Sequence, residues 1–296
     1  MDSIRVSPRH LGQMRRSDFC PRCFWYSIAL GFRHPFDMPM AGLMYNLDKF
    51  EKLIVDAHFE AKSTLPKWLG PLGCTETVAF PAKMTEELPD LGLTLVGMPD
   101  AVLRKKDESL YLIDFKTARC KGDDDPFLPG YEAQLWGYAR LLRHNRIGKV
   151  TSAALVYFEN RLVDYSDAPL DLLTGKGISV PFEVKIHEVE IDLKELDELL
   201  KKFRAFADLP KPPKRNGKCK TCDRLERLFE IDRKAQGQDR LIRDMERCNS
   251  TDLNYLLRKG EANRRHLLAV ESKNWEIGLM DEFTDEFDSV PAVFDL

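Results

Sequence analysis

The amino-acid sequence predicts an α/β fold in which helices flank a sheet. The first observation is that helix-like and strand-like segments alternate along the chain, which is typical of α/β proteins. The second is a change of composition after Pro213, where a highly charged sequence predicts a helical extension. The bulk composition agrees, because 43% of the residues are apolar and can form a sizeable core, while 31% are charged.

The individual elements follow from the spacing of apolar residues. Over residues 43–64 these residues recur at helical spacing, which predicts the first long helix. Residues 131–143 predict an amphipathic helix, and residues 151–159 predict a strand that is apolar on both faces and therefore central. The remaining predicted elements are a helix over 18–29, strands over 75–84, 93–104, 110–116 and 182–191, and a helix over 193–209.

Charge is distributed unevenly, although the net charge is only −3. Residues 201–220 hold eight Lys and Arg, whereas residues 281–296 hold six acids and no base. Such asymmetry is typical of a basic binding face and an acidic tail, and equally of two solvated surface runs. No segment approaches the ~18 apolar residues that a membrane span requires. Residues 1–16 lack an apolar signal core, so we expect a cytoplasmic protein without a membrane partner.

The strongest chemical signal lies in a predicted hairpin. Asp114 and Lys116 are two positions apart on a strand, so both side chains point to one face. The polar link at residues 105–109 has hairpin length and would bring Asp100 on the preceding strand close to Asp114. Two converging carboxylates repel each other unless a divalent cation lies between them. The alternative is an ordinary hairpin with a partly exposed Asp114–Lys116 salt bridge and Asp100 in a turn.

This arrangement suits hydrolysis of a phosphodiester. Mg²⁺, or Mn²⁺, bound by Asp100 and Asp114 would polarise a phosphoryl oxygen and lower the pKa of a bound water. The backbone carbonyl of Phe115 would supply another oxygen ligand. Lys116 would orient the attacking water and attract the scissile phosphate.

Pro99-Asp100 followed by Asp114-Phe115-Lys116 resembles the signature of the PD-(D/E)XK nucleases. The order helix, three strands, helix, strand is similar to the core of that superfamily, and the resemblance covers residues 15–222. It implies a restriction-endonuclease-like αβββαβ core with a mixed central sheet flanked by helices. We accordingly assign a nuclease-like domain to residues 1–222 and a charged helical extension with an acidic tail to residues 223–296.

Gln134-x-x-x-Tyr138 resembles the Q-x-x-x-Y motif of the RecB-like branch. That branch includes nuclease domains of bacterial recombination helicase–nucleases and exonucleases of CRISPR adaptation. Residues spaced i, i+4 share one helix face, and the resemblance implies that this face looks into the site. Gln134 would then bond a metal-bound water, Lys116 or phosphate, and Tyr138 would contact DNA. Alternatively, Tyr138 packs in the core and Gln134 caps a polar rim.

A residue from the first long helix usually completes such sites. Asp48 is the preferred magnesium ligand, and Glu51 and His58 are the alternatives. Each of the three is also compatible with a solvated position on the helix surface.

The resemblance implies a metal-dependent deoxyribonuclease with a role in DNA repair, recombination or defence, and leaves endonuclease and exonuclease action both open. The alternative is a catalytically silent nuclease fold that binds DNA or acts as an adaptor. No P-loop motif is present, so ATP-driven unwinding would need a separate helicase or repair protein. Trp25 or Trp136 would stack on bases. Together with Tyr138, the residues expected to hold the DNA are Lys214, Arg215, Lys218 and Lys220.

Four of the seven cysteines form two CxxC pairs. Each pair can supply two thiolates, and together they would complete a tetrahedral metal site. RecB-like relatives often hold an iron–sulfur cluster with one N-terminal and three C-terminal cysteines, whereas here the distribution is two and two. Zinc is therefore an equal candidate, and free thiols or a redox pair are the alternatives. The paired cysteines are Cys20, Cys23, Cys219 and Cys222, and the ordinary thiols are Cys74, Cys120 and Cys248.

Overall fold

The computed structural model of the protein describes residues 3–32, 42–160 and 170–246. The chain divides into two compact units, Met1–Asn216 and Gly217–Asp295. The domain assignment made from the sequence stays a prediction, and the predicted acidic tail lies outside the described residues.

Strands and helices alternate along the described chain. The strands are β1 (Ile4–Val6), β2 (Cys74–Thr77), β3 (Met84–Leu88), β4 (Leu93–Gly97), β5 (Ala101–Lys105), β6 (Leu110–Lys116), β7 (Val150–Asn160), β8 (Leu173–Thr174), β9 (Gly177–Ile178) and β10 (Phe182–Val189). The helices are α1 (Pro8–Gln13), α2 (Pro21–Ala29), α3 (Gly42–Lys62), α4 (Leu128–His144), α5 (Leu193–Ala207) and α6 (Lys220–Glu246).

A five-stranded sheet with the order β10-β7-β6-β5-β2 forms the centre of the first unit. The β6–β7 pair is parallel, and the other three neighbouring pairs are antiparallel. A second sheet has the order β1-β4-β3, and β8 and β9 form a short hairpin. The predicted α/β fold with a mixed central sheet flanked by helices is therefore confirmed.

Strand β6 is the middle strand of the large sheet, and both of its faces are covered. Ile113 and Phe115 enter an apolar cluster with residues of α3, such as Val55. Leu110 and Leu112 enter the larger cluster, which includes residues of α4 and α5. Asp114 belongs to this second face by strand alternation, so its carboxylate points towards the α4 side of the sheet.

Two predicted strands are wrong in their extent. Residues 75–84 form the end of β2 and the start of β3, and residues 93–104 form β4 and most of β5. Each interruption contains a proline, Pro81 or Pro99, which has no N–H to donate to a strand ladder. The second break moves the chain from the small sheet to the large one and leaves Asp100 in a bend just before β5.

Helix α1 has no counterpart among the predicted elements, because six residues are too few to show a clear period. It begins at a capping box, in which the His10 N–H donates to Ser7 Oγ at 3.3 Å and the Ser7 N–H donates to His10 Nδ1 at 3.4 Å. A Cβ on Gly12 would lie 2.3 Å from the Gly130 carbonyl oxygen, so glycine allows α1 to touch α4.

The described part of the C-terminal extension is one charged helix, α6, where two or three helices were predicted over residues 223–273. Residues 247–273 lie outside the described chain. Within the part of the chain that the structure describes, every helix is too short or too polar to cross a bilayer.

Candidate active site

Asp100 and Asp114 face each other across the β5–β6 hairpin. The register pairs Ala101 with Ile113, so the positions immediately outside this pair, 100 and 114, are opposite one another and share a face. The Phe115 N–H donates a hydrogen bond of 2.8 Å to Asp100 Oδ2, which holds the Asp100 side chain against β6. Both carboxylates line one cleft.

The carboxylate of Asp114 is 1% exposed. Its Oδ1 accepts a hydrogen bond of 3.1 Å from the Gln134 amide, and its Oδ2 contacts the Lys116 ammonium. Within the described residues, Oδ2 has no hydrogen-bond partner of ordinary geometry. A buried carboxylate oxygen that relies on an ion pair alone is costly, and such an oxygen is well suited to bind a cation.

The electrostatics of the two carboxylates agree with this proximity. Burial, and after it the charge of Asp114, raise the pKa of Asp100 to about 7 against the opposing effects of Lys52, Lys116 and the Phe115 N–H. Burial alone would lower the pKa of Lys116, but the adjacent Asp114 and Asp100 carboxylates outweigh it, so that pKa is raised. Lys116 is therefore an ammonium at neutral pH.

Gln134 and Tyr138 both reach the site from α4. The Gln134 amide donates to the Tyr138 hydroxyl at 3.0 Å as well as to Asp114. The Tyr138 ring is 9% exposed and packs in the larger apolar cluster, yet it also lines the cleft. A Cβ on Gly97 would lie 2.9 Å from Tyr138 Cε1, so a glycine in β4 leaves room for this ring.

Asp48 lines the same cleft from α3. Its Oδ2 lies 2.9 Å from the Lys52 Nζ, and the same Nζ lies 3.3 Å from Asp100 Oδ1. Lys52 therefore bridges the carboxylates of Asp48 and Asp100. It lies one helical turn after Asp48, the residue that the sequence favoured as a metal ligand. The i, i+4 spacing of Asp48 and Lys52 is visible in the sequence, but the contact with Asp100 depends on tertiary structure.

The two alternatives to Asp48 have other partners. Glu51 is 1% exposed and accepts a hydrogen bond of 2.8 Å from Thr117 Oγ1. Burial raises its pKa, and the Thr117 hydrogen bond opposes that effect. His58 Nδ1 lies 2.8 Å from the carbonyl oxygen of Thr64, and neither Glu51 nor His58 is among the residues that line the cleft.

The cleft has a volume of about 400 Å³. The cleft is lined by residues of α3, of the bend before β5, of β6 and of α4. The sequence analysis did not identify Tyr131, whose ring centre lies 4.4 Å from the Lys116 Nζ. It also did not indicate that the first helix takes part, although the cleft is lined there by Ser7, Arg9, Gly12, Gln13 and Arg16.

The predicted DNA contacts lie in different places. Tyr138 lines the cleft, whereas Lys214 and Arg215 are not among its lining residues. Trp136 is 5% exposed and its indole N–H donates to the Glu190 carbonyl at 2.7 Å, so the expectation that it stacks on bases is wrong. The Trp25 indole donates to the Leu209 carbonyl at 3.0 Å. The other two predicted contacts, in the second unit, are Lys218 and Lys220.

The group of four cysteines predicted to hold a metal ion has two members in the first unit and two in the second. Within the first unit, the Asn216 N–H lies 3.4 Å from Cys20 Sγ, and the Asn216 side chain donates to the Phe19 carbonyl at 3.2 Å. Cys74 and Cys120 are half-buried, and Cys248 lies outside the described residues. The members of the group are Cys20, Cys23, Cys219 and Cys222.

The mixed sheet carries two opposed carboxylates and a lysine at one hairpin, which is the arrangement expected of a PD-(D/E)XK nuclease. The family model of the PD-(D/E)XK nuclease superfamily matches residues 46–227, which is more than half of the chain. The chain therefore belongs to the PD-(D/E)XK nuclease superfamily, and this membership supports a nuclease, a hydrolase that acts on nucleic acid.

Comparisons with individual proteins add only a likeness of fold. The structure titled SSO0001 is 15% identical, with a TM-score of 0.38, over 72% of this chain and 81% of that chain. A phage related exonuclease from Haemophilus somnus 129PT is 12% identical, with a TM-score of 0.41, over 69% of this chain and 92% of that chain. No curated protein matches the chain.

The donor type of the cleft fits a hard divalent cation, although among the described residues no three carboxylates lie close enough together to form a ready-made metal group. Asp48, Asp100 and Asp114 supply carboxylate oxygens, which Mg²⁺ and Mn²⁺ prefer over nitrogen or sulfur ligands. A cation between them would relieve the repulsion that raises the pKa of Asp100 and would satisfy the buried Asp114 Oδ2. PD-(D/E)XK nucleases typically use divalent metals, and the chemistry of these residues agrees with that property.

Proposed function

We propose that the protein is a divalent-metal-dependent deoxyribonuclease of the RecB-like branch. Mg²⁺ or Mn²⁺ would be held by Asp48, Asp100, Asp114 and the carbonyl oxygen of Phe115. The observation that supports this most is the buried Asp114 carboxylate, which lies opposite Asp100 and in contact with Lys116 within an open cleft. The repulsion between two converging carboxylates at such a position requires positive charge nearby, because hydrogen bonds from neutral groups alone do not offset it.

When bound, the cation would polarise the scissile phosphate and make the attacking water more acidic. The Lys116 ammonium attracts the phosphate and orients the water, because it is fixed between Asp114 and the Tyr131 ring. In hydrolysis, the water oxygen forms a bond to phosphorus and the bond to the leaving nucleotide oxygen breaks. That oxygen keeps the electron pair and takes up a proton.

Gln134 and Tyr138 position the carboxylate in this proposal. The Gln134 amide donates to Asp114 Oδ1 and to the Tyr138 hydroxyl, so it limits rotation of the Asp114 side chain. The Tyr138 ring forms part of the cleft wall and would contact the DNA strand. Their joint contact with the site supports the RecB-like assignment, in which this pair of residues characterises the branch.

Other contacts would extend beyond the cleft. We propose that the basic side chains between residues 214 and 220 hold the phosphate backbone and that a separate helicase or repair protein opens duplex substrates. The four-cysteine group is proposed to hold a structural metal, zinc or an iron–sulfur cluster. Metal analysis of the purified protein separates the two, since iron with a brown colour indicates a cluster and colourless protein with zinc indicates a tetrathiolate site.

Cleavage of labelled DNA with Mg²⁺, with Mn²⁺ and with EDTA tests the proposal. We expect metal-dependent cleavage by the wild type and a loss of about 100-fold or more in Asp114→Asn and Lys116→Ala. Matched controls are Asp107→Asn and Lys106→Ala, which lie in the exposed hairpin turn and should leave the rate unchanged. Full activity in both site variants would contradict the mechanism. Binding of DNA by the wild type without metal-dependent cleavage would favour the silent binding module instead.

A further inference from the structure

Helix α1 and the turn after it contribute to the wall of the cleft that also contains the carboxylates. Arg9, Gln13 and Arg16 line the cleft together with Asp100 and Asp114. Arg9 and Gln13 are spaced i, i+4 and therefore share a face of α1, and Arg16 follows one turn later. Arg9 and Arg16 are seven positions apart, and Arg16 lies in the bend after α1 has ended at Gln13.

This wall is held firmly against α4. The Arg15 guanidinium donates to the Pro129 carbonyl at 3.1 Å and to Glu132 at 2.8 Å, and it lies 4.4 Å from the centre of the Trp136 ring. Pro8 packs so close to α4 that a Cβ on Gly137 would lie 2.6 Å from its ring. The backbone of this segment is therefore anchored to α4 by packing.

The arginines of this segment have different environments. Arg15 is paired within the α1–α4 contact, and Arg16 is paired with Asp18 at 2.7 Å while lying 4.6 Å from the Phe127 ring centre. Among residues 3–32, 42–160 and 170–246, the Arg9 guanidinium forms no hydrogen bond or ion pair, and the Gln13 amide forms no side-chain hydrogen bond. Arg9 thus presents an uncompensated charge, and Gln13 an unused amide, at the cleft.

The charge balance of the cleft favours an anionic ligand on this side. Three carboxylates line it, and they are offset by four cationic side chains before any metal ion is counted. The lysines are in contact with the carboxylates, as Lys116 with Asp114 and Lys52 with Asp48. Arg9 and Arg16 belong to the α1 segment, and because Arg16 pairs with Asp18, Arg9 supplies the charge there that has no partner within the described residues.

We propose that Arg9, Gln13 and Arg16 bind the phosphates that flank the scissile phosphodiester on the substrate strand. This inference rests on the proposed function, because it places a nucleic-acid strand in the cleft. Guanidinium groups bind phosphate through paired N–H donors, and the separation of Arg9 from Arg16 allows contact with two different phosphates. Gln13, which lies between the two arginines in the chain, donates a hydrogen bond from its uncharged amide. The α1 segment thus sets the register of the strand relative to Asp100 and Asp114.

The test measures binding apart from turnover. A fluorescein-labelled single-stranded DNA oligonucleotide is titrated with the full-length protein in Ca²⁺, gel electrophoresis shows that the oligonucleotide stays intact, and the titration is repeated over a salt series. Arg9→Ala should weaken binding about tenfold and lower the slope of log affinity against log salt by ~0.7. Arg16→Ala should act in the same direction. Gln13→Ala should weaken binding without changing the slope, because glutamine carries no charge.

Arg5→Ala is the matched control, since Arg5 is an exposed arginine on β1 that does not line the cleft. It should leave affinity and slope unchanged. Arg9 is exposed and has no partner among the residues that the structure describes, so Arg9→Ala should keep the wild-type Tm. With cleavable substrate, it should raise KM while kcat stays close to wild type.

Two results would overturn the inference: wild-type affinity and slope in Arg9→Ala, or an equal loss in Arg5→Ala. Failure of the proposed function is seen separately. In that case Asp114→Asn would cleave like the wild type, whatever the arginine substitutions do to binding.

Discussion

The substitution Gly12→Ala tests the contact that places α1 at the cleft. Inside a helix, alanine is favoured over glycine by about 1 kcal/mol, so an open site would be stabilised. Here the added Cβ would lie 2.3 Å from the Gly130 carbonyl oxygen and 3.0 Å from its carbonyl carbon. Both are backbone atoms that cannot rotate away, and overpacking of this kind costs about 1–3 kcal/mol or more. We expect the clash to dominate, with a net loss of about 2 kcal/mol.

Urea unfolding followed by circular dichroism measures this loss, and a thermal scan should show a Tm lower by roughly 4–8 °C. Because α1 would move away from α4, DNA affinity should also fall. Gly70→Ala is the control, since a Cβ on Gly70 would meet nothing within 4 Å and its backbone is not left-handed. A Gly12→Ala protein as stable as the wild type would refute the close α1–α4 contact and the rigidity of the cleft wall.

Three further predictions concern stability and activity. Arg140→Ala should lower the free energy of unfolding by about 3 kcal/mol, because it leaves the buried Glu86 carboxylate without the guanidinium that donates to both of its oxygens. Burial lowers the pKa of His10 to about 4. Since the unfolded chain binds that proton at its ordinary pKa near 6.5, stability should fall by up to about 3 kcal/mol as the pH drops from 6.5 towards 4. Gln134→Leu should reduce cleavage about 10- to 100-fold and lower the free energy of unfolding by about 1–3 kcal/mol, because the buried Asp114 Oδ1 loses its amide donor.

Each of these predictions has a control. Lys201→Ala removes an exposed i, i+3 ion pair with Glu198 and should not change stability measurably, so an equal effect of Arg140→Ala would contradict the role of the buried network. His10→Gln should flatten the pH dependence of unfolding, and an unchanged slope would show that another group is responsible. Wild-type cleavage by Gln134→Leu would exclude a positioning role for that amide.

The central elements of the site were predictable because they depend on local spacing. The alternation around Asp114 and Lys116 identifies β6 and its two faces, and the hairpin link pairs them with Asp100. The i, i+4 spacing of Gln134 and Tyr138 likewise places both on one face of α4.

Features that depend on long-range packing were not predictable. The break at Pro99 separates two strands that belong to different sheets, and apolar patterning alone reads them as one. Helix α1 is too short to show a period, so its place in the cleft follows only from its contact with α4. The bridge from Lys52 to Asp100 joins residues 48 positions apart, and no local rule indicates it.

Titration of the protein with Mn²⁺ in an isothermal calorimeter tests, without any substrate, whether Asp100 and Asp114 hold a shared cation. Asparagine keeps the shape of aspartate but removes the charge, so Asp100→Asn and Asp114→Asn should each weaken Mn²⁺ binding at least tenfold while the exposed control Asp107→Asn does not. Identical Mn²⁺ binding in the wild type and both site variants would show that the two opposed carboxylates do not hold a shared cation.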